Sequence, residues 1–279
     1  GACRCSSSVI ANNVSVRLPA VPTISARPST EPNHRANLTD DHISHLVTSL
    51  EAGVGRVARM LDAAGELLVA HGYRRVTVDD VARRAGVGKG TVYLHFASKL
   101  DLFAGVLVRD SIDVTRDLLA ALHADPREAG LDATLRATFL AVQRRPISRA
   151  LHAGDVEMLG AVVADTKAGL AIVTDKSAFA AEHFALLYRH GLLVDDPATT
   201  PDLRYRFQAA VIGFFLDDIV PAAGMDLVAR ADALAALVRA GFTPPGRPDP
   251  AALASAAPEL AGLYERTLDH LTQALPEEP

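Results

Sequence analysis

Tryptophan is missing from the 279 residues, aromatics make up 5%, and cysteine occurs only at Cys3 and Cys5. The shortage of cysteine excludes a disulfide framework. The Cys-x-Cys pair sits in a Ser-rich stretch with no other ligand cluster beside it, so it is read as part of a tail rather than as a metal site. No apolar run approaches the roughly eighteen residues that a membrane helix needs. The first residues lack a basic stretch followed by an apolar one. These absences make the cytoplasm the expected compartment. Also missing are a Gly-rich phosphate loop, a His-x-x-x-His pair and a Gly-x-Ser-x-Gly elbow. No catalytic constellation, metal site or cofactor is implied, and the chain is not expected to be an enzyme.

What is present is apolar periodicity. Hydrophobic residues are 49% of the chain, enough for a small domain and a larger second core. The most informative stretch runs from Val57 to Leu107. Val57, Met60, Leu61, Ala64, Leu67 and Leu68 recur at helical spacing, and His71-Gly72 ends that helix. Thr77, with Asp80 three residues on, forms a capping box ahead of Val78, Val81, Ala82 and Ala85. Gly86-Val87-Gly88 is a tight turn. A third helix follows over about 89–96 with Val92 and Phe96 facing inward, which leaves Lys89, Thr91, Tyr93 and His95 outside. Ser98 caps a fourth helix over about 99–123. Two short helices joined by such a turn form a helix-turn-helix, which places its second helix in the DNA major groove.

Charge is distributed to match. Residues 56–105 hold eight Lys/Arg against five Asp/Glu, whereas 106–279 hold sixteen against twenty-four. The helix-turn-helix is therefore the basic part of a chain whose net charge is −5. Asp79 and Asp80 are read as helix-start residues favoured by the dipole. Lys89 suits bidentate reading of a guanine edge, and the Tyr93 and Thr91 hydroxyls suit phosphate.

The run Thr77-Val78-Asp79-Asp80-Val81-Ala82, then Ala85-Gly86-Val87, Lys89-Gly90-Thr91-Val92-Tyr93-Leu94-His95-Phe96 and Ser98-Lys99 resembles the DNA-binding domain of the tetracycline-repressor (TetR) family. The resemblance covers about fifty consecutive residues. It implies an all-α fold, with a three-helix DNA-binding domain and a larger helical ligand-binding and dimerisation domain. It also implies that Thr77, Lys89, Gly90, Thr91, Tyr93, Leu94, His95 and Lys99 lie at the DNA surface. Gly88 stands where a capping side chain is common, and Leu100 where Glu is frequent.

The remaining chain divides as follows. Residues 1–38 have no apolar periodicity and are read as a disordered tail. Residues 39–53 read as a short helix ended by Gly53. The DNA-binding domain then spans 54–105, and the ligand-binding and dimerisation domain 106–242. The latter has helical patterns over 131–144, from Pro146 to about 164, and over 177–193, 202–220 and 226–241. Residues 243–279 form a linker and one or two extra helices, 250–256 and 258–275. The segment 202–220 is apolar on two faces. Its periodicity fits a helix central to its own core, while the resemblance assigns it, with the helix after it, to a dimer interface of Phe207, Val211, Ile212, Phe215, Leu216, Ile219, Leu234 and Leu237.

Phe139, His152, Met158, Phe179, His183, Phe184 and Tyr188 are candidates to line an effector cavity, although each also fits plain core. Arg136, Lys167, Lys176 and their neighbours are read as solvated near helix ends. The cavity is then expected to favour a neutral or cationic, largely apolar molecule. The expectation is a homodimeric, ligand-controlled repressor whose partners are a double-stranded DNA operator, a second copy of itself and an unknown small molecule. The alternative is a small-molecule-binding protein or enzyme with a vestigial helix-turn-helix.

Overall fold

The computed structural model describes residues 40–149, 161–162, 164–215 and 224–276, with 40–54, 173 and 175 described by backbone alone. It divides into two units, Gly1–Ile43 and Ser44–Pro279. In the first, the described residues are the opening turn of a helix. The expectation for residues 1–38 lies outside the described residues.

The described fold is all-α. In chain order the helices are α1 (Asp40–Arg75), α2 (Val78–Ala85), α3 (Lys89–His95), α4 (Lys99–Ala124), a 3-10 turn (Pro126–Ala129), α5 (Leu131–Arg144), α6 (Lys167–Arg189), α7 (Leu203–Phe215), α8 (Leu227–Phe242) and α9 (Pro250–Gln273). Among the described residues no single helix is long and apolar enough to cross a membrane.

Local chemistry accounts for most of these ends. Gly72 stops the regular part of α1 with φ 73° and ψ 158°, a combination closed to side-chain-bearing residues. Gly86 takes the left-handed conformation after α2, and its N–H and that of Val87 return to the Ala82 carbonyl. Ser98, Asp125, Thr166, Asp226 and Asp249 accept from backbone amides at the starts of the later elements.

Three boundaries differ from the expectation. Gly53 does not end a helix, because α1 continues through it; a single glycine costs an internal turn only about 1 kcal/mol. α6 begins at Lys167 rather than near 177, since Thr166 supplies a cap ahead of the helix formers Lys167, Ala168, Leu170 and Ala171. α9 is one helix across Pro258. Its buried stripe, which includes Ala256, Leu260, Leu263 and Tyr264, holds the helix together where the proline removes a hydrogen bond.

Two cores organise the second unit. In the first, Met60, Leu61, Ala64 and Leu68 of α1 meet Val81 and Ala82 of α2, Val92 of α3, Phe96, and Leu102, Phe103 and Val106 of α4. Full burial of each large side chain here contributes about 1.5–3 kcal/mol. The second core joins Leu122, Phe139, Leu187, Leu234, Val238 and Leu260. There α8 packs along α5, α7 lies on α8, and α9 packs on α4, α6 and the 3-10 turn. The C-terminal helix is thus part of the body. A smaller cluster of Val108, Ile112, Ile172 and Leu271 lies between α4, α6 and α9.

α4 crosses from one core to the other, and its passage past α1 depends on Gly105. A Cβ there would lie 3.0 Å from Leu61 Cδ2 and 3.1 Å from Phe96 Cε1. The Gly105→Val variant is expected to lose at least about 1–3 kcal/mol through overpacking, seen as a lower midpoint in chemical denaturation. An unchanged midpoint would show that the three-helix core has slack at this crossing.

Candidate nucleic-acid interface and effector cavity

The helix-turn-helix is locked by short-range bonds. Thr77 Oγ1 accepts from Asp80 N at 3.2 Å, Asp80 Oδ2 accepts from Thr77 N at 3.1 Å, and the Thr77 hydroxyl donates to Asp80 Oδ2 at 2.6 Å. These bonds, with Thr77's side chain foremost, hold the Asp80 carboxyl below its ordinary range. Val87 packs into the turn against the three-helix core. Gly88 starts α3 with no side-chain cap.

On α3, Val92 and Phe96 are buried, while Tyr93 is 47% and Leu94 79% exposed. Lys89 and Gly90 are exposed, and Thr91 and His95 half-buried. The Lys89 ammonium is 2.8 Å from Asp79 Oδ2, and that bond raises its pKa. His95 Nδ1 is buried with no partner among the described residues. Lys89, Gly90, Thr91, Tyr93, Leu94 and His95 thus lie on α3, and Thr77 lies apart from them in sequence, at the start of α2.

Lys99 is half-buried and has a partner within the chain. Its Nζ donates to the Tyr73 carbonyl at 2.6 Å and stands 4.1 Å over the Tyr73 ring. Burial lowers its pKa. Here the ammonium ties the end of α1 to the start of α4, a contact that its position after Ser98 did not disclose.

The larger cavity lies between α4, α5, α6, α7 and α9 and measures about 310 Å³. It falls in the range of small-molecule sites. Leu107, Val114 and Leu118 of α4 line one wall, Leu131 and Leu135 of α5 another, and Ile172, Phe179 and Phe184 of α6 a third. Tyr264 and Leu271 of α9 complete it. Several lining threonines are apolar in effect. Thr115, Thr138 and Thr267 each donate to the carbonyl four residues back, at 2.8, 2.7 and 3.0 Å, and Thr134 donates to the Glu128 carbonyl at 2.8 Å. With those hydroxyls engaged by backbone, the methyl groups remain for the cavity.

Of the expected cavity residues, Phe179, His183 and Phe184 line it. Phe139 does not; it is fully buried beside it, edge-on to Phe215. Tyr188 is exposed, because it falls on the outer face of α6. His152 and Met158 lie outside the described residues. Tyr264, Thr267 and Leu271 were missed because α9 had no expected place in the site. Lys176 was also misplaced. It sits inside α6, not at its end, and its side chain faces the cavity.

The expected dimer residues separate in the same way. Phe207 stands edge-on to Phe184 and Phe242, and Val211 and Leu234 are buried in the second core. Phe215 packs on Phe139. Ile212 is 58% and Leu237 41% exposed, beside exposed Tyr205 and Val228. Leu216 and Ile219 lie outside the described residues. One face of α7 and α8 belongs to the chain's own core, and Tyr205 and Ile212, seven residues apart, share an open face of α7.

Among the described residues, no group of three or more His, Cys, Asp and Glu could hold a metal ion. Comparison with known proteins places these features. Residues 60–106 match the family model of bacterial regulatory proteins, tetR family. Similar relatives include the HTH-type transcriptional activator FasR of Mycolicibacterium smegmatis, 37% identical over 83 residues that make up 30% of this chain and 32% of that protein. Another is the HTH-type transcriptional regulator SrpR of Pseudomonas putida, 44% identical over 64 residues, 22% of this chain and 30% of that one. The matched stretch thus spans about a third of the length of these relatives. A transcriptional regulator from Saccharomonospora viridis, solved in complex with choline, shares the fold with a TM-score of 0.50 and 20% identity, over 67% of this chain and 97% of that one.

His183 offers a check on the cavity wall. It is buried, and burial lowers its pKa from 6.5 to about 4. The unfolded chain therefore takes up a proton below about pH 6.5 that the folded chain refuses until about pH 4. Stability from this group is present above pH 6.5 and is lost as pH falls toward 4, by about 2 kcal/mol between pH 7 and 5. Denaturation at those two pH values should show the loss in the wild type and a markedly smaller one in His183→Phe. Equal losses in both proteins would place His183 in water.

Proposed function

We propose, from the premise that this chain carries the DNA-binding domain of the tetR family of bacterial regulatory proteins, that it is a ligand-responsive transcription regulator. It acts as a homodimer and represses from an operator that it leaves when a small molecule fills the cavity. The observation that carries this reading is the placement of α4. Its first half, from Leu102 to Val106, is buried in the core of the helix-turn-helix, and its second half, from Leu107 to Leu118, lines the cavity. A ligand that spreads the cavity walls must move α4, and α4 cannot move without carrying α1 and α3.

α9 supplies a second link. Tyr264, Thr267 and Leu271 line the cavity, and Leu275 just beyond the helix packs against the helix-turn-helix core. The ligand acts only by binding the two arrangements with different affinity. In a dimer the two α3 helices must sit about 34 Å apart to enter successive turns of the major groove. A small tilt of each α4 destroys that spacing.

The exposed apolar face of α7 supports a second copy as the partner. Its residues Tyr205 and Ile212 lie open, and Leu237 on the neighbouring α8 is exposed as well. A charge placed at the centre of such a contact would be desolvated without a partner. The Ile212→Asp variant is expected to sediment as a monomer and to lose operator affinity while keeping its helical circular dichroism. A dimer that survives this change would move the interface elsewhere.

At the DNA surface, Tyr93→Phe should weaken binding to all sequences alike and leave its salt dependence unchanged, because a hydroxyl displaces no counterion. Lys89→Ala should relax preference at one base pair by about 1–3 kcal/mol. Both are measured by fluorescence anisotropy against the promoter adjacent to the gene and its point variants. Full affinity and selectivity in both variants would refute the assignment of α3 to the groove and favour the vestigial alternative.

A further inference from the structure

The polar groups of the cavity are few once those already engaged are set aside. The Thr115, Thr134, Thr138 and Thr267 hydroxyls donate to backbone carbonyls. The Tyr264 hydroxyl meets the Thr134 side chain. Asp110 accepts the Ser148 hydroxyl. What remains is the Ser111 hydroxyl on α4 and two groups on one face of α6: the Lys176 ammonium and His183, whose Nε2 is buried without a partner among the described residues. Seven residues of helix separate the two on α6, a spacing of about 10 Å along the axis.

Lys176 is exposed and lines the cavity, with protein packed around it on the other sides of α6. Burial lowers its pKa, while the charge of Asp110 across the cavity raises it. No hydrogen bond or ion pair joins Lys176 to another described residue. It stands one turn beyond Ile172, at the end of the cavity nearest the helix-turn-helix. The far end, around Leu118, Leu131, Leu135, Phe184 and Phe207, is apolar.

We infer that the effector is an amphipathic monoanion, a carboxylate on an apolar chain or ring, with Lys176 as its counter-ion; this rests on reading the cavity as the effector site. The physical argument is one of desolvation. A wholly apolar ligand that fills the cavity strips water from an unpaired ammonium and supplies nothing in return. A cationic ligand adds repulsion. A carboxylate restores the lost hydration with a charge-assisted hydrogen bond. Asp110 faces the same space, so a dianionic head such as a phosphate ester meets a like charge as well as the lysine. That limits the favoured ligand to a single negative charge. The neutral His183 then offers a hydrogen bond to a polar substituent about 10 Å from the head. An anion departs from the expectation of a neutral or cationic effector because Lys176, although exposed, stands inside α6 on the wall of the cavity rather than at a helix end.

The test uses the full chain with octanoate, decanoate and dodecanoate, each beside the alcohol and the primary amine of the same length. Binding is read by titration calorimetry and by the thermal unfolding midpoint, in the wild type, Lys176→Met and Lys176→Arg. The expected result is an alkanoate affinity about ten-fold or more above that of the matching alcohol, with no binding of the amine. Lys176→Met should abolish that margin while retaining alcohol binding, which also reports that the variant is folded. Lys176→Arg should recover most of the margin. Equal or tighter binding of the alcohol or amine by the wild type, absence of binding by all three kinds, or an undiminished margin in Lys176→Met would each overturn the inference. Operator affinity measured alongside separates it from the reading beneath it. An alkanoate that binds through Lys176 and leaves operator affinity unchanged refutes the effector reading and supports the anion. An amine that binds and releases DNA does the opposite.

Discussion

The structure turns on one helix that belongs to two cores. Interiors pack at crystal-like density and do not deform continuously, so a rigid element shared between two of them passes displacement from one to the other. α4 has that position. Phe103 and Val106 are fully buried among α1, α2 and α3, and a few residues later Asp110 and Val114 face the cavity. Gly105 allows the close crossing with α1, and Lys99 ties the head of α4 to the end of α1 through the Tyr73 carbonyl. Without that crossing, the DNA-binding unit and the cavity would be independent objects on one chain.

The cavity is apolar for a reason that composition does not reveal. Its threonines turn their hydroxyls to helix carbonyls and present methyl groups, so a wall counted as polar in sequence behaves as an aliphatic one. Against that background, one ammonium and one neutral imidazole carry most of the recognition chemistry. A low-dielectric surround strengthens any single polar contact and penalises any unmet one, so a lone lysine weighs more here than several would on the surface. The helix beyond the tetR-family match contributes Tyr264 to the wall and, just past its end, Leu275 to the DNA-binding core. The C-terminal segment therefore closes the cavity and braces the domain that responds to it.

At the other end of the chain, electrostatics and packing divide the cations among different tasks. Asp80 is fixed by Thr77 and joins Arg83, Asp79 holds Lys89, and Glu66 holds Arg84. These are exposed pairs of small individual worth. Their effect is orientation, since they keep long side chains on the α2–α3 surface in the absence of a polyanion. In the proposed complex, DNA phosphates would compete for the same cations, and counterion release would supply affinity.

The sequence alone determined the elements whose information is local. Caps, glycine turns and apolar stripes operate over three or four residues, so Thr77-Asp80, Gly86 and Val92-Phe96 announced the helix-turn-helix, and 131–144 and 227–242 were legible within a residue or so. Tertiary structure decided whatever depended on which face of a helix found a partner. Periodicity shows that α7 and α8 have two apolar faces, but only packing tells that Phe207, Val211 and Leu234 turn inward while Ile212 and Leu237 remain open. The same holds for Lys176, which sequence position set near a helix end and the packing of α4, α6 and α9 set on a cavity wall. It holds for Lys99, whose acceptor lies twenty-six residues away along the chain. A side chain's chemistry is written in its identity, but its dielectric surroundings are set by residues distant in sequence, and these exist as neighbours only after the chain has folded.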